Sequence, residues 1–177
     1  LRLLESELRH ARHIATMDDL TEHIVRPITE GTTKSFVEII RQRRGVNEDT
    51  RKATIFFSCG FKQRVDKFVD AYRAYLEDNG GIESSSDCFA WISMFCVDQC
   101  RPDAGALCWY NGFQDVVEEI NNTVVLFSPW QDAEPLKRIW CLWEILLTVE
   151  SEEGKLSIQL PRTDEITLTL SLMRAEL

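Results

Sequence analysis

From residue 51 onward, short apolar runs alternate with longer stretches of helical spacing. Lys52 to Ser58, with Ala53, Ile55, Phe56 and Phe57 as its apolar content, predicts a first strand. The turn Ser58-Cys59-Gly60 leads into a helix whose face is Val65, Phe68, Val69, Tyr72, Tyr75 and Leu76, terminated by Asn79-Gly80-Gly81. After the polar loop Ser84 to Asp87, Cys88 to Phe95 predicts a second strand, buried on both faces as parallel strands are. Trp109 to Asn122 is expected as a helix with Phe113, Val116, Val117 and Ile120 inward. Thr123 to Phe127, unbroken and rich in β-branched residues, predicts the third strand. A turn-forming loop, Ser128 to Asp132, precedes Pro135, which sits where a helix would begin. In that helix Leu136, Ile139, Trp143 and Leu146 mark one apolar face, and Trp140, Cys141 and Leu147 an adjoining one. Leu156, Ile158 and Leu160 alternate as a fourth strand, and Thr163-Asp164-Glu165 starts a last helix that the end of the chain is expected to cut short.

The residues ahead of this differ: Leu1 to Arg44 read as charged and helical, with interruptions. Leu4, Leu8, Ala11 and Ala15 share one face, and Thr16 and Asp18 offer a cap before Leu20, Ile24 and Val25. Pro27 and Gly31 interrupt the pattern, and Ser35 can cap a short helix through Phe36, Ile39 and Ile40 before Gly45 breaks it. Strands alternating with helices imply βαβ units and a parallel sheet covered on both faces. The expected fold is therefore α/β, a flavodoxin-like doubly wound parallel sheet over residues 51–177 with an α-helical N-terminal extension over residues 1–50.

Composition narrows the function. The 177 residues carry a formal charge of −9, the wrong sign for a nucleic-acid footprint or for attachment to anionic membranes. No apolar run approaches bilayer length and no leader is visible, so no membrane association is expected. Six cysteines without a CxxC pair suit reduced, buried thiols and a cytoplasmic location. His10 and His13 share a helix face without further ligands nearby, which reads as a solvent-facing helix, and no metal is expected. Arg41, Arg43 and Arg44 are either an anion site or the solvated end of a helix.

The anomaly is Glu144, a carboxylate one turn beyond Trp140 and Cys141 in an apolar stripe. Two readings apply: a stripe-edge residue whose head reaches water, or a buried acid that is used. Ligands in open α/β sheets bind outside the carboxyl ends of the strands. Ser58, the loop around Asp98, Ser128 and Trp130 are expected there, with Glu144 pointing back toward them.

The wording of the third strand and following helix, Leu126-Phe127-Ser128-Pro129-Trp130 and then Arg138-x-Trp140-Cys141-Leu142-Trp143-Glu144, resembles TIR domains. It is most similar to TIR-like domains of protist, algal and fungal multidomain proteins, often joined to helical repeats such as those of kinesin light chains. The resemblance runs from Lys52 to about Leu160. It implies cleavage of the nicotinamide–ribose bond of NAD, with NAD as substrate rather than cofactor and Glu144 as the catalytic carboxylate. It further implies substrate contacts at Ser58, Phe61, Asp98, Ser128, Trp130 and Trp140, where Trp140 or Trp130 could stack on nicotinamide or adenine. It also implies self-association into a homo-oligomer, through a loop reaching Gly105 that covers the cleft. The chain departs from the family in two places: Cys59-Gly60-Phe61 stands for His-Ala-Trp, and Ser93 for an Asp. A non-catalytic self-association and signalling module is the alternative that these departures keep open.

Overall fold

A computed structural model describes residues 14–44, 50–80, 88–100 and 106–175, with backbone alone for residues 44 and 106–111. The expected helix face at Leu4, Leu8 and Ala11, the His10/His13 pair and the loop at Ser84 to Asp87 lie outside these residues, as does the segment 101–105. Helices α1 (Met17–Leu20) and α2 (Arg26–Thr29) are joined by a π-helical segment, Thr21–Val25, and α3 is Phe36–Arg44. Strand β1 (Ile55–Ser58) leads to α4 (Val65–Asp78), and β2 (Ala90–Trp91) to the short α5 (Ser93–Cys96). Helix α6 (Ala106–Ile120) precedes β3 (Asn122–Leu126). Two 3-10 turns, Trp130–Asp132 and Glu134–Lys137, lead into α7 (Ile139–Glu150), then β4 (Lys155–Gln159) and α8 (Arg162–Ala175).

The four strands form one all-parallel sheet in the order β2-β1-β3-β4. Strand alternation sorts its two faces. Ile55 and Phe57 of β1 and Val124 and Leu126 of β3 pack with Val65, Phe68, Ala71 and Tyr72 of α4. Phe56, on the opposite face, packs with Phe113 and Val117 of α6 and Leu147 of α7. Helices therefore cover both faces, and the fold is α/β with a parallel sheet. Among the described residues, no helix is long and apolar enough to cross a membrane.

The N-terminal helices share this core: Met17 and Leu20 are fully buried beside Phe57 and Phe68. Thr16 caps α1 through a reciprocal box with Asp19, and Ser35 and Glu38 make the same exchange at α3. The regular α pattern is interrupted next to Pro27, as expected, but the helical path does not end there. The π-helical segment ahead of it hands the Arg26 N–H to the Thr21 carbonyl, and the path continues to Thr29.

Three further expectations are corrected. The strand expected over Cys88 to Phe95 pairs only at Ala90 and Trp91 and is half-buried; the Phe95 and Cys96 N–H groups turn back to the Ile92 carbonyl, which starts a helical turn. The helix expected from Leu136 begins at Ile139, because the chain takes two 3-10 turns around Pro135 first. Its apolar faces are also placed differently. Leu136, Ile139 and Leu146 are 51%, 73% and 43% exposed, while Cys141, Glu144, Leu147 and Thr148 face the sheet. Thr148 accounts for part of this orientation, since its hydroxyl meets that of Thr123 on β3 at 2.7 Å and also donates to the Glu144 carbonyl.

Candidate active site at the carboxyl ends of β1 and β3

The chain leaves β1 toward α4 on one face and leaves β3 toward α7 on the other. The two loops diverge there, at the position where open parallel sheets bind ligands. Ser58, the last residue of β1, is placed by alternation on the α7 face, and its hydroxyl donates to Glu144 Oε2. Glu144 is 6% exposed, so the water-reaching reading of this residue does not hold.

Burial raises the Glu144 carboxyl to about 7; the Ser58 hydrogen bond and the nearby Arg138 charge oppose that rise without cancelling it. Two thiols flank the acid. Burial lifts Cys59 well above its ordinary value and pushes Cys141 up to about 12, and the Glu144 charge adds to both effects. Neither is therefore set up as a thiolate nucleophile. Of these buried groups, only Glu144 titrates near neutrality.

The β1–α4 loop forms the neighbouring wall. Residues ahead of the sheet domain hold it: the Met17 and Asp18 N–H groups donate to the Gln63 and Phe61 carbonyls, each at 2.8 Å, and Val65 donates to Ala15 at 3.0 Å. The ring of Phe61 lies under the Arg138 guanidinium, 4.8 Å from ring centre to Cζ. Arg138 is the residue before α7, and no side chain caps that helix.

Glu134, on the second 3-10 turn, reaches into the same corner. Its Oε1 lies 3.9 Å from Arg138 Nη1, too far for a hydrogen bond, and its Oε2 is buried without a donor. A buried acceptor left this way costs about 1–3 kcal/mol. The carboxylate fits only because residue 60 is glycine: a Cβ there would stand 1.2 Å from Oε2. The sequence does not mark Glu134 as part of this corner. Its one signal is the i,i+4 spacing to Arg138, which is masked by Pro135, a residue that marks the lead-in to a helix.

The remaining residues expected at the site are dispersed. Ser128, buried beside the cis Ser128–Pro129 peptide, gives its hydroxyl to Asp164 Oδ2 at 2.7 Å. The Trp130 indole N–H donates to Thr167 on α8 at 3.0 Å. Trp140 lies on the α6 side of α7, partly exposed, with its ring 6.3 Å from that of Phe113. Asp98 accepts the Cys100 N–H at 2.9 Å within its own loop, where Gln99 bridges the Ser93 and Val97 carbonyls. Ser58, Phe61 and Glu144 are thus gathered with Arg138 and Glu134, while Ser128 and Trp130 are tied to α8. Among the described residues, no group of three or more His, Cys, Asp or Glu is placed to hold a metal.

No family model, no curated protein and no solved structure matches this chain.

Proposed function

We propose that this chain is a flavodoxin-like, TIR-type domain that hydrolyses the nicotinamide–ribose bond of NAD, with Glu144 as the catalytic carboxylate. The observation that carries the reading is a buried, neutral-range acid held by Ser58 at the carboxyl ends of β1 and β3. The strand order β2-β1-β3-β4 suits the flavodoxin-like arrangement, whose ligand sits at the β1/β3 switch point.

The chemistry suits a single carboxylate. The C1′–N bond breaks with its electron pair leaving on nicotinamide, which departs neutral and needs no general acid. Water then forms the new C1′–O bond and releases a proton. Positive charge develops on the ribose, and an ionised Glu144 beside it, shielded from water, stabilises that charge strongly. The pyridinium of NAD is itself cationic, so its approach favours the ionised acid, and binding near neutral pH should release a proton.

The test is incubation of concentrated protein with NAD, with free nicotinamide followed by chromatography. Release by the parent chain and its loss in Glu144→Gln is the expected result. Release at the parental rate by that variant would remove Glu144 from the mechanism, and no release by the parent would remove the activity.

A specific observation favours a second reading, a non-catalytic self-association module. Leu142, Leu146 and Val149 on α7 are exposed, as are Leu156 and Ile158 on β4. These β4 residues pair with Thr123 and Val125 and so lie on the α7 face of the sheet. Concentration-dependent sedimentation without nicotinamide release is the outcome that reading requires.

A further inference from the structure

One cation acts on the buried Glu144, yet it does not pair with it. Arg138 is the residue before α7, and its charge reaches the carboxyl only through space. Helical side chains lean toward the N-terminal end of their helix, so Glu144 leans toward Arg138 rather than away. A cation at that end also meets the positive pole of the helix dipole, which favours its moving onto a carboxylate. Two contacts hold it elsewhere. The guanidinium lies over the Phe61 ring, 4.8 Å from ring centre to Cζ, and its Nη1 faces Glu134 Oε1 at 3.9 Å. Both holders are themselves fixed: the Glu134 carboxylate is seated against Gly60 with Oε2 buried, and the Phe61 carbonyl accepts the Asp18 N–H at 2.8 Å. The other titratable groups beside Glu144 are the thiols of Cys59, after β1, and Cys141, on α7, both kept protonated by burial. Helix α6 meets α7 through Phe113 and Val117, and β3 meets it through the Thr123 hydroxyl. Among these neighbours only Arg138 and Glu134 carry charge.

We propose that Glu134 and Phe61 are positioning residues: they hold the Arg138 guanidinium off Glu144 and so leave that carboxylate unpaired for a cationic substrate. The inference rests on the reading of Glu144 as the catalytic carboxylate, but its electrostatic half is measured with no substrate present. An Arg138–Glu144 ion pair would oppose the reaction in two ways. It would neutralise the negative charge that the developing ribose cation needs, and it would set a guanidinium where the pyridinium of NAD must approach. Glu134 is also the place where the guanidinium does most for the fold, because it offsets a carboxylate that is itself largely buried.

The experiment follows the Glu144 carboxyl by carbon-13 NMR as pH is varied, in the whole chain without substrate, the resonance being assigned by its loss in Glu144→Gln. Nicotinamide release from NAD is measured on the same preparations. Glu134→Gln keeps the size of the side chain and removes its charge, so Arg138 should turn to Glu144 and bring its titration midpoint down by about one pH unit. Phe61→Leu keeps apolar bulk but removes the ring face, and should move the midpoint the same way by less. Arg138→Gln should move it slightly upward. The Glu134→Gln/Arg138→Gln double variant should titrate with Arg138→Gln, because Glu134 acts through Arg138. Release at pH 8, where Glu144 is ionised in most molecules of every variant, should fall about tenfold in Glu134→Gln and recover in the double variant. A folded Glu134→Gln protein that titrates at the parental midpoint would overturn the proposal, as would a double variant that keeps the downward shift. Midpoints shifted as expected, in a parent that releases no nicotinamide, would uphold the placement of Arg138 and remove only the hydrolysis.

Discussion

Two serines at or just beyond the carboxyl ends of neighbouring strands each donate a hydrogen bond to a buried acid: Ser58 to Glu144, and Ser128 to Asp164. The two pairs are alike in donor and depth, and they differ in what else the acid meets. Asp164 lies in the first turn of α8, where the helix dipole favours a negative charge, and Lys67 Nζ stands 2.8 Å from its Oδ1. Lys67 also donates to Thr163, and Arg162 on the same turn pairs with Glu77 and Asp78 of α4. This is a joint between two helices in which each charge has its counter-charge.

Glu144 sits in mid-helix, with no cation among the described residues at ion-pair distance and Arg138 acting only through space. One acid is neutralised by a partner and holds the structure together. The other is kept near its titration point by burial, as groups that take part in chemistry are. The same Ser–acid pairing therefore sits in two different electrostatic settings according to whether a cation completes it.

The largest expected break in this comparison is catalytic. Glu144→Gln keeps the shape and the acceptor for Ser58 but loses the charge, so nicotinamide release should fall about a hundredfold to a thousandfold. Asp164→Asn should leave the turnover per folded molecule at the parental level. Equal losses in both variants would mean that the two acids are not distinguished in function.

The next effect is on stability against pH. An ordinary Glu titrates at 4.5, whereas native Glu144 titrates at about 7. Below 4.5 both native and unfolded chains hold the proton and burial of this group carries no electrostatic penalty. Between 4.5 and 7 the unfolded chain releases its proton first, so stability falls as pH rises, by about 3 kcal/mol in all, and levels off above 7. Denaturant midpoints measured from pH 4.5 to 8 should show this decline in the parent and lack it in Glu144→Gln, which should be the more stable protein at pH 8. A parallel decline in both would assign it to other groups.

Asp164→Asn tests the other side. It removes a charge that Lys67 and Ser128 both meet, and should cost about 1.5–3 kcal/mol in equilibrium unfolding. The pH dependence of nicotinamide release in the surviving native protein should not move. A shifted profile would couple the two acids.

The smallest effect is the most specific. In the parent, release should rise with pH through a midpoint near 7, as Glu144 ionises. The Ser58 hydrogen bond lowers the Glu144 pKa, so Ser58→Ala should move that midpoint upward, with a stability change of about 1 kcal/mol. Ser128→Ala should cost a similar amount of stability and leave the midpoint in place. Identical profiles in both serine variants would erase the distinction between the two sites.

Much of the architecture was legible along the chain because period and punctuation are local properties. The strands at β1, β3 and β4, the α4 face from Val65 to Tyr75, the Asn79-Gly80 stop and the Thr16 and Ser35 caps each follow from a few adjacent residues. The juxtaposition of Ser58 with Glu144 was legible in part, since parallel βαβ units bring strand ends together. Three things were decided only in three dimensions. The rotation of α7, which buries Glu144 and exposes Ile139, depends on Thr148 meeting Thr123 and on Leu147 reaching Phe56, contacts that helical period alone does not rank. The truncation of β2 depends on its pairing along just two positions of β1. The Gly60–Glu134–Arg138 corner depends on two loops that meet from opposite faces of the sheet, and no spacing within either loop encodes that meeting. Local chemistry along this chain sets which elements form, whereas burial, and with it the charge state of Glu144, is a property of the packed neighbours that only the tertiary structure supplies.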